Sequence, residues 1–269
     1  MNIYIDIETI PSQDPAIKQK FLDEVTAPGN YKKQESIDEW LAANREIVGE
    51  ENWKKTSFDG GLGHVCVIGV AINDGETKTF YAEDYLANEK KIITDLFELI
   101  DDNYDPSKNI PPVFIGHNIA EFDLKFLFQR AVVLGVKPPK VIPFGARPWD
   151  KSLFDTMTVW AGHNGRVSLD KLCSVLGLNA KGSETGEDID GSKVWDFVKD
   201  GKISVVAEYC IDIEFEGEAK EIRMGRFSDV LEIGENTENP NFDYINIPKQ
   251  YAKQLIRELV KLYPDWDKD

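Results

Sequence analysis

The chain of 269 residues carries 31 basic and 48 acidic side chains, a net charge of −17. With 42% apolar and 29% charged residues it has a globular composition, which excludes a largely disordered polypeptide. The acid excess excludes a protein that coats nucleic acid or an anionic membrane by bulk charge, but not an enzyme that meets a polyanion through bound metal ions.

No apolar run approaches the roughly 20 residues of a membrane span. The opening Asn2-Ile3-Tyr4-Ile5-Asp6 has no basic n-region and no small-residue cleavage site. Neither a signal peptide nor a membrane partner is therefore expected. Cys66, Cys173 and Cys210 are odd in number and scattered, so they give neither a disulfide framework nor a metal site, and a reducing cytoplasm is the expected compartment.

Residues 3–7, rich in β-branched side chains, read as a first buried strand. Residues 13–56 break the pattern with two helix-like stretches, 14–25 and 36–48, on either side of Ala27-Pro28-Gly29-Asn30. Ser36 and Glu39 fit a capping box for the second. The segment reads as a helical insertion after the first strand, and because it leaves the sheet just past Asp6 and Glu8 it should form a lid or wall beside them. Residues 65–72 and 78–81 flank Asn73-Asp74-Gly75-Glu76, a hairpin signal. Helical spacing follows at 89–101, a buried strand at 113–116, and helical patterns at 118–134, 168–176, 194–198 and 205–213. A polar linker at 234–246 precedes an amphipathic stretch at 247–262. This order describes an α/β domain with a mixed sheet, spanning 1–233, with 234–269 as a linker and a helix packed on it.

Three acidic constellations stand out. Asp6 and Glu8, two apart on a strand, share one face. If the strand is buried they need a partner, and a divalent cation with oxygen ligands is the natural one. Gly116-His117-Asn118-Ile119-Ala120-Glu121-Phe122-Asp123 leads from a strand end into a helix, where a first-turn carboxylate is favoured. Glu208-Tyr209-Cys210-Ile211-Asp212 lies on a helix, and its Tyr could orient a water beside a metal. Each alone has a plainer explanation: a solvated acidic edge, a first-turn acid with an Asn cap, and a helix with Tyr209 in the core and Asp212 in solvent.

Taken together, in this order and these contexts, the three motifs resemble those of the DEDD superfamily of 3′→5′ exonucleases. Phe154-Asp155-Thr156-Met157, Ser168-Leu169-Asp170-Lys171-Leu172-Cys173, Asp188-Ile189-Asp190-Gly191-Ser192 and Ala27-Pro28-x-Asn30-Tyr31-Lys32 extend the likeness. They are similar to stand-alone bacterial and phage exonucleases related to the proofreading domain of family B DNA polymerases. The resemblance covers about residues 1–227. It implies an RNase-H-like fold with a mixed five-stranded sheet flanked by helices, and two Mg²⁺ or Mn²⁺ ions held by Asp6, Glu8, Asp123 and Asp212. It further implies Tyr209 as the residue that positions the attacking water, with Thr9, Ile10, His117, Asn118 and Phe122 around the substrate. His117 fits a structural hydrogen-bonding role better than a ligand role. The implied partner is the 3′ end of single-stranded DNA, with RNA an alternative, and a replication or repair protein acting in trans.

There is one departure. In the tyrosine-type third motif Tyr precedes Asp by four positions, whereas Tyr209 precedes Asp212 by three, a rotation of about 100° on a helix. With Asp212 in register, the Tyr position falls on Glu208. A catalytically impaired nucleic-acid-binding relative and an exoribonuclease therefore stay open. So does an acidic interaction protein whose motifs are coincidental. Lys137, Lys140, Arg147, Lys151, Lys171 and Lys181 are the basic residues that could follow a phosphate backbone, and the acidic chain should bind DNA weakly.

Overall fold

The computed structural model describes residues 1–73, 75–108, 110–147, 150–176, 181–182 and 185–210. The linker and helix expected within 234–269 lie outside the described residues, as does Asp212.

Five strands form one sheet in the order β3-β2-β1-β4-β5. They are β1 (Asn2–Ile10), β2 (His64–Ile72), β3 (Lys78–Tyr81), β4 (Val113–Gly116) and β5 (Leu153–Asp155). The first three pair antiparallel, while β1–β4 and β4–β5 are parallel. This is the mixed five-stranded sheet expected from the sequence. β5 and the short helix after it, α5 (Thr156–Ala161), carry no periodic signal because each is too short to show one.

β1 is longer than expected and buried on both sides. Ile3, Ile5 and Ile7 enter the main core with α3 (Tyr85–Asn103) and α4 (Asp123–Leu134). On the other face Tyr4 and Ile10 enter separate apolar clusters. Asp6 and Glu8 sit between them, by the period of two along a strand. Ile10 packs with α7 (Val194–Lys199) and α8 (Ile203–Cys210), which follow α6 (Leu169–Leu176). Glu8 pairs with Val67 and Thr9 with Val65, so Cys66 is a bulge residue on β2. The bulge reverses the alternation: Val65 faces the main core, Cys66 and Val67 the second cluster, Ile68 the main core again.

Between β1 and β2 run α1 (Pro15–Asp23) and α2 (Gln34–Lys54). Asp14 caps α1, its carboxylate accepting from Ala16 N–H at 2.8 Å. The capping box at Ser36 and Glu39 does not form. The second helix starts earlier, with Lys33 at its N-cap, so Ser36 already lies inside the first turn. The helix also runs past 48, because Trp53 anchors its end: the indole N–H donates to Ser12 O at 2.8 Å and the ring meets Trp195 edge-on. A 3₁₀ turn, Lys55–Phe58, returns the chain to β2.

A buried ion pair ties this return to the main body. Glu89 on α3 accepts from Arg130 Nε at 2.7 Å and Nη2 at 2.6 Å, from Val65 N–H at 2.8 Å, and contacts His64 Nδ1 at 2.9 Å. Removing one member of such a pair costs about 3–5 kcal/mol, so Arg130→Ala should lose stability of that order in urea unfolding at neutral pH. Burial alone would raise the Glu89 carboxyl, but hydrogen bonds from His64 and Arg130 outweigh it and hold it below its ordinary value of 4.5. A depressed folded-state value gives stabilisation that is present above the ordinary value and lost as pH falls through the folded one. Glu89→Gln should therefore flatten the acid limb of the stability–pH profile, while a limb as steep as wild type would contradict this role.

Candidate active site

Three of the expected carboxylates meet at the carboxyl end of the parallel strands. β4 pairs with β1 only from Asn2 to Tyr4 and stops at Gly116. Past that point Ile7 N–H has lost its neighbour, and Asp123 Oδ1 accepts from it at 3.1 Å. This single bond places the Asp123 carboxylate beside the backbone that joins Asp6 to Glu8. Asp123 is buried, and burial, then the charge of Asp6, push its carboxyl well above the usual range.

Asp123 is delivered by a tight turn. α4 begins at Asp123 rather than at 118, because Asn118 adopts a left-handed φ of 60°. Asp155, at the end of β5, clamps this turn. It is 1% exposed and accepts from Asn118 N–H at 3.0 Å and Ala120 N–H at 3.4 Å, while also capping α5 through Met157 N–H. The sequence shows Asp155 but not this role. The Asn118 side-chain oxygen is buried without a hydrogen-bond partner, the one such atom among the described residues. His117 is satisfied internally: Nε2 donates to Val167 O at 2.9 Å and Nδ1 faces Thr156 Oγ1 at 3.1 Å. Burial lowers its imidazole value, which keeps it neutral in this structural role.

Asp6 and Glu8 are not alone. Lys181 Nζ donates to Asp6 Oδ2 and to Glu8 Oε1, each at 2.7 Å, with only 12% of its side chain exposed. Its ammonium also lies 4.3 Å from the ring centroid of Tyr209. Lys181 was grouped above with lysines that could follow a backbone; it is instead the cation between the paired acids. No local pattern singles it out among 31 basic residues.

Tyr209 lies in the second apolar cluster, and burial raises its phenol well above the ordinary value, so at neutral pH it offers a hydrogen bond rather than a base. Glu208, the alternative occupant of that register, points to solvent. Cys210 faces the acids, with Sγ 3.6 Å from Asp6 Oδ2. Ligand atoms of Asp6, Glu8 and Cys210 lie within 4.8 Å of one another. Burial holds the Cys210 thiol well above its usual value, so the carboxylate oxygens are the effective donors and favour a hard divalent cation. That a buried ammonium already fits between them shows that the site accepts positive charge.

Thr9 is half-buried and its hydroxyl donates to Ser57 O at 2.7 Å. Ile10 is fully buried and pairs with His64 across the sheet. Phe122 is half-buried, packed between Phe58 and Phe126. Phe58 escapes sequence reasoning, since one aromatic in a Gly-rich loop carries no periodicity.

The strand order, with acids on the central β1 and at the turn after β4, defines an RNase-H-like α/β domain. Residues 62–213 match the family described as predicted 3′-5′ exonuclease related to the exonuclease domain of PolB, and the chain belongs to that family. The family B DNA polymerase from the hyperthermophilic archaeon Pyrobaculum calidifontis is a structural neighbour at a TM-score of 0.46 and 18% identity, over 77% of this chain and 22% of that one. The chain thus spans about a fifth of the polymerase's length. No curated protein matches the chain. Among the described residues no helix is long and apolar enough to cross a membrane.

Burial, opposed by Lys181 and reinforced by Asp6, raises the Glu8 carboxyl to about 7. A raised folded-state value gives stabilisation that is complete below the ordinary 4.5 and lost as pH rises through about 7. In chelator, the protein should lose about 1–3 kcal/mol across that window. Thermal unfolding in EDTA at a series of pH values tests this, and Glu8→Gln should reduce the slope, leaving the part that the raised Asp123 contributes. An equal slope in the variant would assign the effect elsewhere.

Proposed function

We propose that the chain is a metal-dependent 3′→5′ exonuclease that hydrolyses the terminal phosphodiester of DNA and releases nucleoside 5′-monophosphates. The observation that carries this reading is the pair Asp6 and Glu8 closing on one ammonium, with Asp123 bonded to the backbone N–H of Ile7 between them. With Asp212, which lies outside the described residues, they would hold two Mg²⁺ or Mn²⁺ ions. When bound, such ions supply a hydroxide nucleophile at neutral pH and offset charge on the leaving oxygen.

The remaining residues orient the substrate. Asn118 Oδ1, buried and unpaired, is available to accept a hydrogen bond from the terminal nucleotide. Backbone at Thr9 and Ile10 would hold that nucleotide, and Phe122 would line its path. His117 supports the turn from behind. Tyr209, kept protonated by burial, would orient the attacking water through its hydroxyl. Lys181 compensates Asp6 and Glu8, the carboxylates that would hold the ions. A cytoplasmic role in DNA replication, repair or processing, with any polymerase acting in trans, completes the reading.

A gel time course with a 5′-labelled DNA oligonucleotide, in Mn²⁺ or Mg²⁺ against EDTA, tests it. A ladder shortening from the 3′ end, dependent on metal, is expected. Asp6→Ala and Asp123→Ala should each lose at least roughly a thousandfold in rate, about 4 kcal/mol of barrier. An RNA oligonucleotide run alongside separates the exoribonuclease. Intact DNA and RNA at all times would overturn the enzymatic reading and favour a binder disabled at its third motif.

A further inference from the structure

Phe58 is the most exposed large apolar side chain among the described residues, at 71%. A single exposed Phe would need no explanation, but this one is held in place at the site. The ring packs at a steep angle against Phe122, centroids 6.3 Å apart, and Phe122 packs in turn on Phe126. Phe122 immediately precedes Asp123. On the other flank, Ser57 O receives the hydroxyl of Thr9, the residue after Glu8. Phe58 is therefore tied on one side to the residue before Asp123 and, through its neighbour Ser57, on the other to the residue after Glu8.

The loop that follows holds the ring there. Gly60 N–H donates to Gln129 Oε1 at 3.0 Å and Gly60 O receives Arg130 Nη1 at 3.4 Å. A Cβ at Gly60 would come within 2.6 Å of Phe126 O, so the loop lies directly on α4. An exposed aromatic surface is fixed beside Phe122 by hydrogen bonds to α4, at a cost in solvation that a ligand with a π-face would recover.

We infer that Phe58 is a stacking platform for one unpaired base within the last three nucleotides of the bound strand, and that it directs the site to single-stranded or frayed 3′ ends. The inference rests on the exonuclease reading for the placement of the strand end. Its occupant is fixed by continuity with the acids and by charge. A chain of net charge −17 has little long-range attraction for phosphate, whereas stacking on an aromatic ring is sequence-tolerant and is not screened by salt. A base behind the terminal one is stacked on both faces in a duplex and can lie on the ring only after leaving that stack, which is the basis of the strand preference.

Two measurements test it. First, DNA oligonucleotides carrying 2-aminopurine at each of the last three positions are titrated with wild type, Phe58→Ala and Phe58→Trp in EDTA, where no hydrolysis occurs. Stacking quenches the fluorophore. At one position wild type and Phe58→Trp should quench and Phe58→Ala should not, with affinity in Phe58→Ala lower by about 5- to 150-fold. The affinity ratio should stay constant between low and high salt. Second, in Mn²⁺, Phe58→Ala should raise KM on single-stranded ends by a similar factor with kcat nearly unchanged, and should narrow the preference over paired ends. Equal quenching in wild type and Phe58→Ala at all three positions overturns the inference. So does a change in oligomeric state on gel filtration of Phe58→Ala, which would make the ring a contact between copies of the chain. Inactivity of wild type in Mn²⁺ would refute the exonuclease reading alone, since the fluorescence experiment reads stacking without turnover.

Discussion

Two carboxylates on one face of a buried central strand set the terms for everything around them. Asp6 and Glu8 lie between apolar clusters on β1, where an uncompensated charge is expensive. The fold answers with a buried ammonium: Lys181 bridges both acids and rests on the face of Tyr209. The Tyr209 ring is held in turn by the apolar cluster under α7 and α8. The second layer of the domain is thus built around the need to place one positive charge.

The third acid is placed by a different constraint, the unmet hydrogen bond of a strand edge. Because β4 is only four residues long, β1 outruns it, and Ile7 N–H faces the turn that follows β4. Asp123 fills that vacancy in the ladder. Backbone satisfaction and charge convergence are achieved by one side chain. The turn carrying it is strained at Asn118 and would not hold its shape unaided. Asp155 supplies the restraint from the next strand, so β5, though three residues long, positions the site across the sheet.

Much of this was legible in the sequence. The alternation around Asp6 and Glu8, the hairpin and the turn into α4 are local patterns, and local patterns survive in one dimension. The helices of the insertion were visible too, though their ends were not: α2 begins before its apparent cap at Ser36, and it runs past 48 to Trp53, which anchors its far end to Ser12. What could not be read depends on distant partners. Lys181 lies more than 170 residues from the acids it bridges, and Asp155 reaches back 37 residues to Asn118. Neither separation leaves a periodic trace. The relation of Tyr209 to Asp212 ends at the last described helix, where Glu208 faces out and Cys210 faces Asp6.

The same division explains why an acidic chain can carry a site for a polyanion. With a net charge of −17, long-range attraction for phosphate is weak, and bound cations would supply it only at short range, at the terminal linkage. Uncharged surface can add a hold on the rest of the strand that does not depend on net charge. The insertion ends in such a surface: Trp53 fixes α2, Thr56 ties the 3₁₀ turn to Ser12 at 2.9 Å, and Phe58 emerges two residues later, against Phe122. An α/β core that concentrates negative charge at one strand and an inserted segment that presents an aromatic ring beside it are complementary. In the proposed reading one would position the bond to be cut, and the other would select the strand by whether its bases are free to stack.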